Sequence, residues 1–137
     1  MEYRNIFKEL RYDEEQIEKR VRECFDAIYN GPEEVRFYEN VGPDMGYITD
    51  TGNDDVRTEG MSYAMMVCVQ MNEKEKFDRI WKWTKKYMWI PEGYDQGYFK
   101  WSCNLDGTVR GKGPAPDGED HLKYPHCHSA HSNEPGG

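Results

Sequence analysis

Glu59 stands in the run Val56-Arg57-Thr58-Glu59-Gly60-Met61-Ser62-Tyr63, at the mouth of the most apolar stretch of the chain. A carboxyl group at the entry to a buried helix is expected to be shielded from water. Desolvation disfavours its charged form and raises its pKa, which is what a general acid working near neutral pH requires. The same placement suits a helix-start glutamate stabilised by the helix dipole. The run alone leaves both roles open.

Two further patterns carry chemistry. In Gly97-Tyr98-Phe99-Lys100-Trp101 an indole sits on an expected extended segment, where it can stack on the apolar face of a pyranose or fill a core. In Gly113-Pro114-Ala115-Pro116-Asp117-Gly118-Glu119-Asp120, carboxylates cluster on a loop stiffened by proline. They suit a metal, sugar hydroxyls or plain solvent. The alternating ligand positions and closing glutamate of an EF-hand are missing.

The elements that must position these residues are helical. Asp13 is placed to cap a helix over 13–30, with Gln16 in the capping-box position. Ile17, Val21, Cys24, Phe25 and Ile28 mark its inner face, and Asn30-Gly31-Pro32 stops it. Residues 35–55 read as irregular, with short extended pieces around 36–38 and 46–49. A second helix is predicted from Thr58 to Met71. Its body, MSYAMMVCVQM, is apolar almost all round, so it needs cover on every side. A third is predicted over 73–88, with Phe77, Ile80, Trp81, Thr84, Tyr87 and Met88 facing inward. The two form an antiparallel hairpin that turns tightly at Asn72. The stretch 104–120 reads as loop.

The 137 residues carry a formal net charge of -8, and no cluster of Lys and Arg of the kind that phosphate backbones require. No apolar run is long enough to span a membrane, and the start MEYRNIFKEL lacks a secretory apolar region. Cys24, Cys68, Cys103 and Cys127 form no paired spacing. Cys24 and Cys68 read as small buried hydrophobes, and free thiols fit a reducing, cytoplasmic setting. Aromatic residues make up 14% of a chain that is only 36% hydrophobic, which suits either a ring-stacking surface or an aromatic core. All four histidines fall in HLKYPHCHSAHSNEPGG, a segment without apolar periodicity that is expected to be disordered. His126, Cys127, His128 and His131 there could meet a transition metal, but without a supporting shell they make a poor site. Neither a metal nor a cofactor is expected.

Taken in order, Glu59-Gly60-Met61-Ser62-Tyr63, the Trp101 segment and Ala115-Pro116-Asp117-Gly118-Glu119 resemble glycoside hydrolase family 8. The likeness runs over about 54–120, includes MMVCVQMNEKEKFDRIWKWTKKYM, and extends more weakly to the first helix. It looks most like the branch with cytoplasmic exo-oligoxylanases that release xylose from the reducing end. The resemblance implies an all-α fold, here an incomplete (α/α)6 barrel in which the apolar second helix is an inner one. It implies an inverting reaction on β-1,4-linked xylo-oligosaccharides, with two carboxyls roughly 6.5–9.5 Å apart flanking the scissile bond. By position Glu59 matches the proton donor, Trp101 an aromatic sugar platform, and Asp117 the residue that holds sugar hydroxyls at the cleavage site. Arg57 and Tyr63 flank the acid as substrate-binding residues.

Departures accompany the resemblance. Ala64 replaces a frequent glycine. After Asp120 the family continues into another apolar inner helix, and its catalytic base has no counterpart here. The expectation is therefore the N-terminal part of a barrel over 1–120, an unrelated tail over 121–137, no hydrolysis by the chain alone, and self-association through the uncovered apolar helix. A non-catalytic sugar-binding remnant, and family members acting on β-1,4-glucan or chitosan, are the alternatives.

Overall fold

The computed structural model describes residues 4–115, in two units that divide between Phe37 and Tyr38. In the first unit, α1 (Ile6–Glu9) is a single turn capped by the Asn5 side chain, which accepts from the Lys8 amide at 3.1 Å. Sequence periodicity gives no sign of so short an element. Helix α2 (Glu14–Asn30) begins where expected: Asp13 accepts from the Gln16 amide at 3.1 Å. Beyond Gly31, the Phe37 amide donates to the Ile28 carbonyl and folds the chain back along the helix.

The expected inner face of α2 is only partly realised. Phe25 is buried together with Tyr29, which the stripe did not include, and their rings stack at 4.3 Å. Ile17 and Ile28 are half-buried, whereas Val21 and Cys24 are exposed. The expectation that Cys24 is buried is thus incorrect. Periodicity identifies the apolar stripe, but its outer edge receives no cover among the described residues.

The second unit opens with an antiparallel hairpin of β1 (Tyr38–Val41) and β2 (Met45–Ile48), with Tyr38 opposite Ile48. Gly42 takes a positive φ at its turn. The extended piece expected around 46–49 overlaps β2, whereas that expected around 36–38 meets β1 only at Tyr38, and the pairing of the two strands was not expected. Next comes β3 (Asp55–Arg57), which runs directly into α3 (Thr58–Gln70). The helical hairpin then turns at Asn72 as predicted. Asn72 adopts a left-handed conformation, its amide bonds to Val69 O, and the Glu73 amide bonds to Cys68 O. This pair of bonds is the Schellman arrangement, which satisfies carbonyls that a helix end leaves orphaned.

Helix α4 (Lys74–Tyr87) is packed on two sides. Ile80, Thr84 and Met88 are buried as expected, but Trp83 is buried too and Trp81 only half so. The expected stripe omitted Trp83 because that residue serves the hairpin: its ring lies 5.4 Å from Tyr47. Arg79 donates to the Pro43 carbonyl at 2.8 Å, and Lys82 pairs with Asp44 at 3.0 Å, fastening the turn to the helix.

Strands β4 (Ser102–Asn104) and β5 (Val109–Gly111) complete a second antiparallel sheet, in the order β3-β4-β5. The architecture is therefore helical with two small sheets, not purely α, and 109–111 is strand where loop was expected. Short strands of three residues carry too little alternation to be read from sequence. Val56, Met61, Met65, Cys68, Ile80, Trp83, Met88, Phe99 and Cys103 are among the buried apolar residues of this unit.

Helix α3 shows why its sequence is apolar nearly all round. Met61, Ser62, Ala64, Met65 and Cys68 are buried, while Tyr63 is exposed and Met66, Val67 and Val69 are half-buried. One flank is thus covered and the other open. Leaving a large apolar side chain in water forfeits about 1.5–3 kcal/mol. None of the described helices is long and apolar enough to cross a membrane.

Candidate active site

The candidate residues converge where β3 becomes α3. Arg57 is both the last residue of β3 and the N-cap of α3. Thr58 follows, buried, and its amide donates to the Trp101 carbonyl at 3.1 Å. Glu59 lies in the first turn, and the Ser62 hydroxyl donates to its carbonyl at 2.8 Å. Tyr63 is one turn further along, on the same helix face as Glu59 because residues four apart stack on a helix.

Trp101 is fixed from several directions. Its amide donates to the Gly113 carbonyl at 2.9 Å. Its indole lies directly against Gly111, where a Cβ would land inside the ring system. The Arg57 guanidinium stands 5.6 Å over the ring, a cation–π arrangement. The side chain is nevertheless 39% exposed, so part of the indole is open to a ligand.

Beneath this corner is a charged cluster that sequence inspection did not single out. Asp55 is 1% exposed. The Ser102 hydroxyl donates to its Oδ2 at 2.7 Å, Arg57 Nε donates to its Oδ1 at 3.0 Å, and Arg110 Nη1 lies 3.5 Å from Oδ2. Burying a carboxylate is costly unless it is paired and hydrogen-bonded, and here all three strands contribute partners. Asp50 lies 3.5 Å from Arg57 Nε. Its Oδ1 accepts from the Gly52 amide and from the Asn53 side chain, both at 3.1 Å. The Asn53 side-chain bond chiefly, helped by the nearby Arg57 charge and by the Asn53 and Gly52 amides, holds the Asp50 carboxyl below its ordinary value against the opposing effect of burial. The available signal was the spacing of Asp55 and Arg57, two apart and hence on one face of a strand. Nothing in the sequence brought Ser102 or Arg110 to them.

Glu59 departs from expectation. Its side chain is exposed, so the described residues do not shield it from water as expected. The physical reason is direction: the apolar run it precedes faces the hairpin and α4 on one side, and Glu59 and Tyr63 occupy the open flank. Asp117 and the histidine-rich segment lie outside the described residues. Among the described residues no cluster of three or more His, Cys, Asp or Glu could hold a metal ion.

The aromatic content divides between the two uses expected of it. Trp83 and Phe99 are core. Trp81, Trp89 and Phe99 surround Lys85, whose ammonium stands 3.3 Å from the Trp89 ring centre; burial lowers its pKa. Trp101 is the most exposed tryptophan of the described residues, and its carbonyl is bonded to the residue before Glu59.

A carboxylate in the first turn of a helix whose start is bonded to the segment bearing an exposed indole is an arrangement suited to carbohydrate hydrolysis. The family model for glycosyl hydrolases family 8 matches residues 37–126, and the chain belongs to that family. It is 54% identical, over 88% of its length, to a reducing end xylose-releasing exo-oligoxylanase of Halalkalibacterium halodurans. It is 48% identical, over 86% of its length, to the reducing-end xylose-releasing exo-oligoxylanase Rex8A of Paenibacillus barcinonensis. In each case it covers 31% of the relative, so the chain spans about a third of the length of these curated proteins. A solved reducing-end-xylose releasing exo-oligoxylanase in complex with xylose superposes with a TM-score of 0.89 at 50% identity, covering 96% of this chain and 35% of that one.

Proposed function

We propose that this chain is the acid-bearing part of an inverting glycoside hydrolase that acts on β-1,4-linked xylo-oligosaccharides, and that its helices are the first hairpins of an (α/α)6 barrel. The observation that carries the reading is the hydrogen bond from the Thr58 amide to the Trp101 carbonyl. It ties the start of the acid's helix to the segment that bears the exposed indole. A sugar stacked on Trp101 is thereby brought beside Glu59. The similarity to proteins named for releasing xylose from the reducing end supports the substrate class.

In this reading Glu59 protonates the leaving oxygen. Trp101 stacks on the sugar, Arg57 and Tyr63 contact it, and Asp117 holds its hydroxyls. A carboxylate elsewhere in the full-length protein activates water from the opposite face. The open flank of α3 is where further barrel helices pack, and their cover supplies the desolvation of Glu59 that a general acid needs.

The test follows the anomeric proton signals of the first product when a full-length protein carrying this sequence hydrolyses xylotriose. Xylose release with inverted configuration is expected. Retained configuration, or cleavage of cello-oligosaccharides in preference to xylo-oligosaccharides, would overturn the assignment.

A further inference from the structure

Arg57 is held through one of its three side-chain nitrogens. Nε donates to Oδ1 and Oδ2 of Asp55 at 3.0 and 3.3 Å and lies 3.5 Å from Asp50. Neither Nη has a hydrogen-bond partner among the described residues. A guanidinium carries five N–H donors in a rigid fork, so the four on the Nη nitrogens are unspent among the described residues. They belong to a side chain that is 30% exposed and stands over the open indole of Trp101.

Asp55 on its side is fixed more firmly than the joining of strands requires. Ser102 from β4 and Arg110 from β5 both approach its Oδ2. On the opposite face of the same strands, Val56 pairs with Cys103, both fully buried and apolar, and that contact already holds β3 to β4. A buried carboxylate adds a desolvation cost that an apolar pair avoids. What the carboxylate does that an apolar residue cannot is grip Arg57 by Nε and leave the Nη pair unengaged.

We infer that Asp55 is a positioning residue: it anchors Arg57 so that the Nη donors of Arg57 bind hydroxyl oxygens of the sugar stacked on Trp101. The inference rests on the reading of Trp101 as a sugar platform and deepens it. A pyranose on an indole buries its C–H face and presents its hydroxyls at the rim, where donors beside the ring can meet them. Hydrogen bonds from a charged donor are roughly twice as strong as neutral ones. Lysine could not substitute, because its single nitrogen lacks the fork that serves Asp55 and the sugar together.

The experiment is a double-mutant cycle on xylotriose binding by the full chain, measured by titration calorimetry, with Asp55→Asn, Arg57→Gln, their combination and Arg57→Lys. The Arg57 Nε–H and Trp101 indole N–H signals are followed by NMR, and thermal melting checks the fold of each variant. Asp55→Asn and Arg57→Gln are each expected to weaken binding about tenfold. The double variant should be no weaker than Arg57→Gln alone, and Asp55→Asn should shift the Arg57 Nε–H and Trp101 indole signals. Arg57→Lys should also weaken binding about tenfold. Full affinity in Asp55→Asn, or losses that add, would overturn the inference while leaving the platform intact. If Asp55→Asn fails to fold, Arg57→Lys decides, since it keeps Asp55 paired, and unchanged affinity there overturns the inference. No binding by the wild-type chain would overturn the platform and the inference together, whereas loss of binding in a Trp101→Ala control establishes the platform independently.

Discussion

The amide of Thr58 donates to the carbonyl of Trp101 at 3.1 Å, so the residue before Glu59 and the exposed indole share one backbone bond. The corner is rigid on both sides of that bond. Arg57 is locked to buried Asp55, and the Trp101 amide is spent on Gly113. Placement of Glu59, the proposed acid, and of Trp101, the proposed platform, therefore depends on backbone more than on flexible side chains.

The first prediction concerns Gly111. Its φ is not positive, yet a Cβ there meets the Trp101 indole at once. Gly111→Ala should push the indole aside, lower stability by about 1–3 kcal/mol as overpacking does, and weaken xylotriose binding. Gly113 has open space around its Cβ position, so Gly113→Ala should stay within about 0.5 kcal/mol of wild type. Melting of the two variants checks this; equal behaviour would mean that Trp101 does not rest on Gly111.

Thiol reactivity gives a second prediction. The thiolate is the reactive form, and access controls its rate. Cys24 is exposed, Cys68 and Cys103 are buried, and burial pushes the Cys103 thiol up. In a Cys127→Ser background, native protein should take up one equivalent of a thiol reagent rapidly, and none after Cys24→Ser as well. Rapid labelling of Cys68 or Cys103 would contradict the packing of α3 and β4.

Acid stability gives the third. Asp50 has a folded-state pKa below its ordinary 3.8, chiefly through the Asn53 hydrogen bond. A depressed carboxyl contributes stability that is fully present above the unfolded value and is lost as pH falls through the folded one. Melting temperature should therefore fall as pH drops below about 4, and Asp50→Asn should flatten that part of the profile. A profile unchanged by the substitution would show that the Asp50 loop is not held by its charge.

How much of this was legible in the sequence depends on the length scale of each signal. The capped start of α2 at Asp13, the hairpin turning at Asn72 and the apolar character of α3 all follow from patterns within a few turns of helix. The same local motifs, through their order along the chain, carry the likeness to glycoside hydrolases around Glu59 and Trp101. Short strands escaped because three residues such as Val109–Gly111 show no usable alternation. Trp83 escaped because α4 has two packed sides and a single stripe describes only one. The Asp55–Ser102–Arg110 cluster escaped because its members lie up to 55 residues apart and meet only through strand pairing. The burial expected of Glu59 failed because a local pattern says which helix is apolar and not which of its flanks is covered.

The fourth prediction is that the 137-residue chain alone does not hydrolyse xylo-oligosaccharides. An inverting reaction needs a base to activate water as well as an acid, and the proposed acid, Glu59, is exposed to solvent here. The half-covered flank of α3 should also make the isolated chain self-associate, which sedimentation at several concentrations would reveal. Steady xylose release that Glu59→Gln abolishes would show instead that the chain, or a second copy of it, supplies the base.

The most direct test of the account is xylose release from xylotriose by a full-length protein carrying this sequence, compared with its Glu59→Gln variant. The amide keeps the shape of the side chain but has no proton to transfer to the leaving oxygen. The account predicts that turnover falls by roughly two to four orders of magnitude with xylotriose binding retained. Turnover near the wild-type rate in the Gln variant would contradict it and remove Glu59 from the acid role.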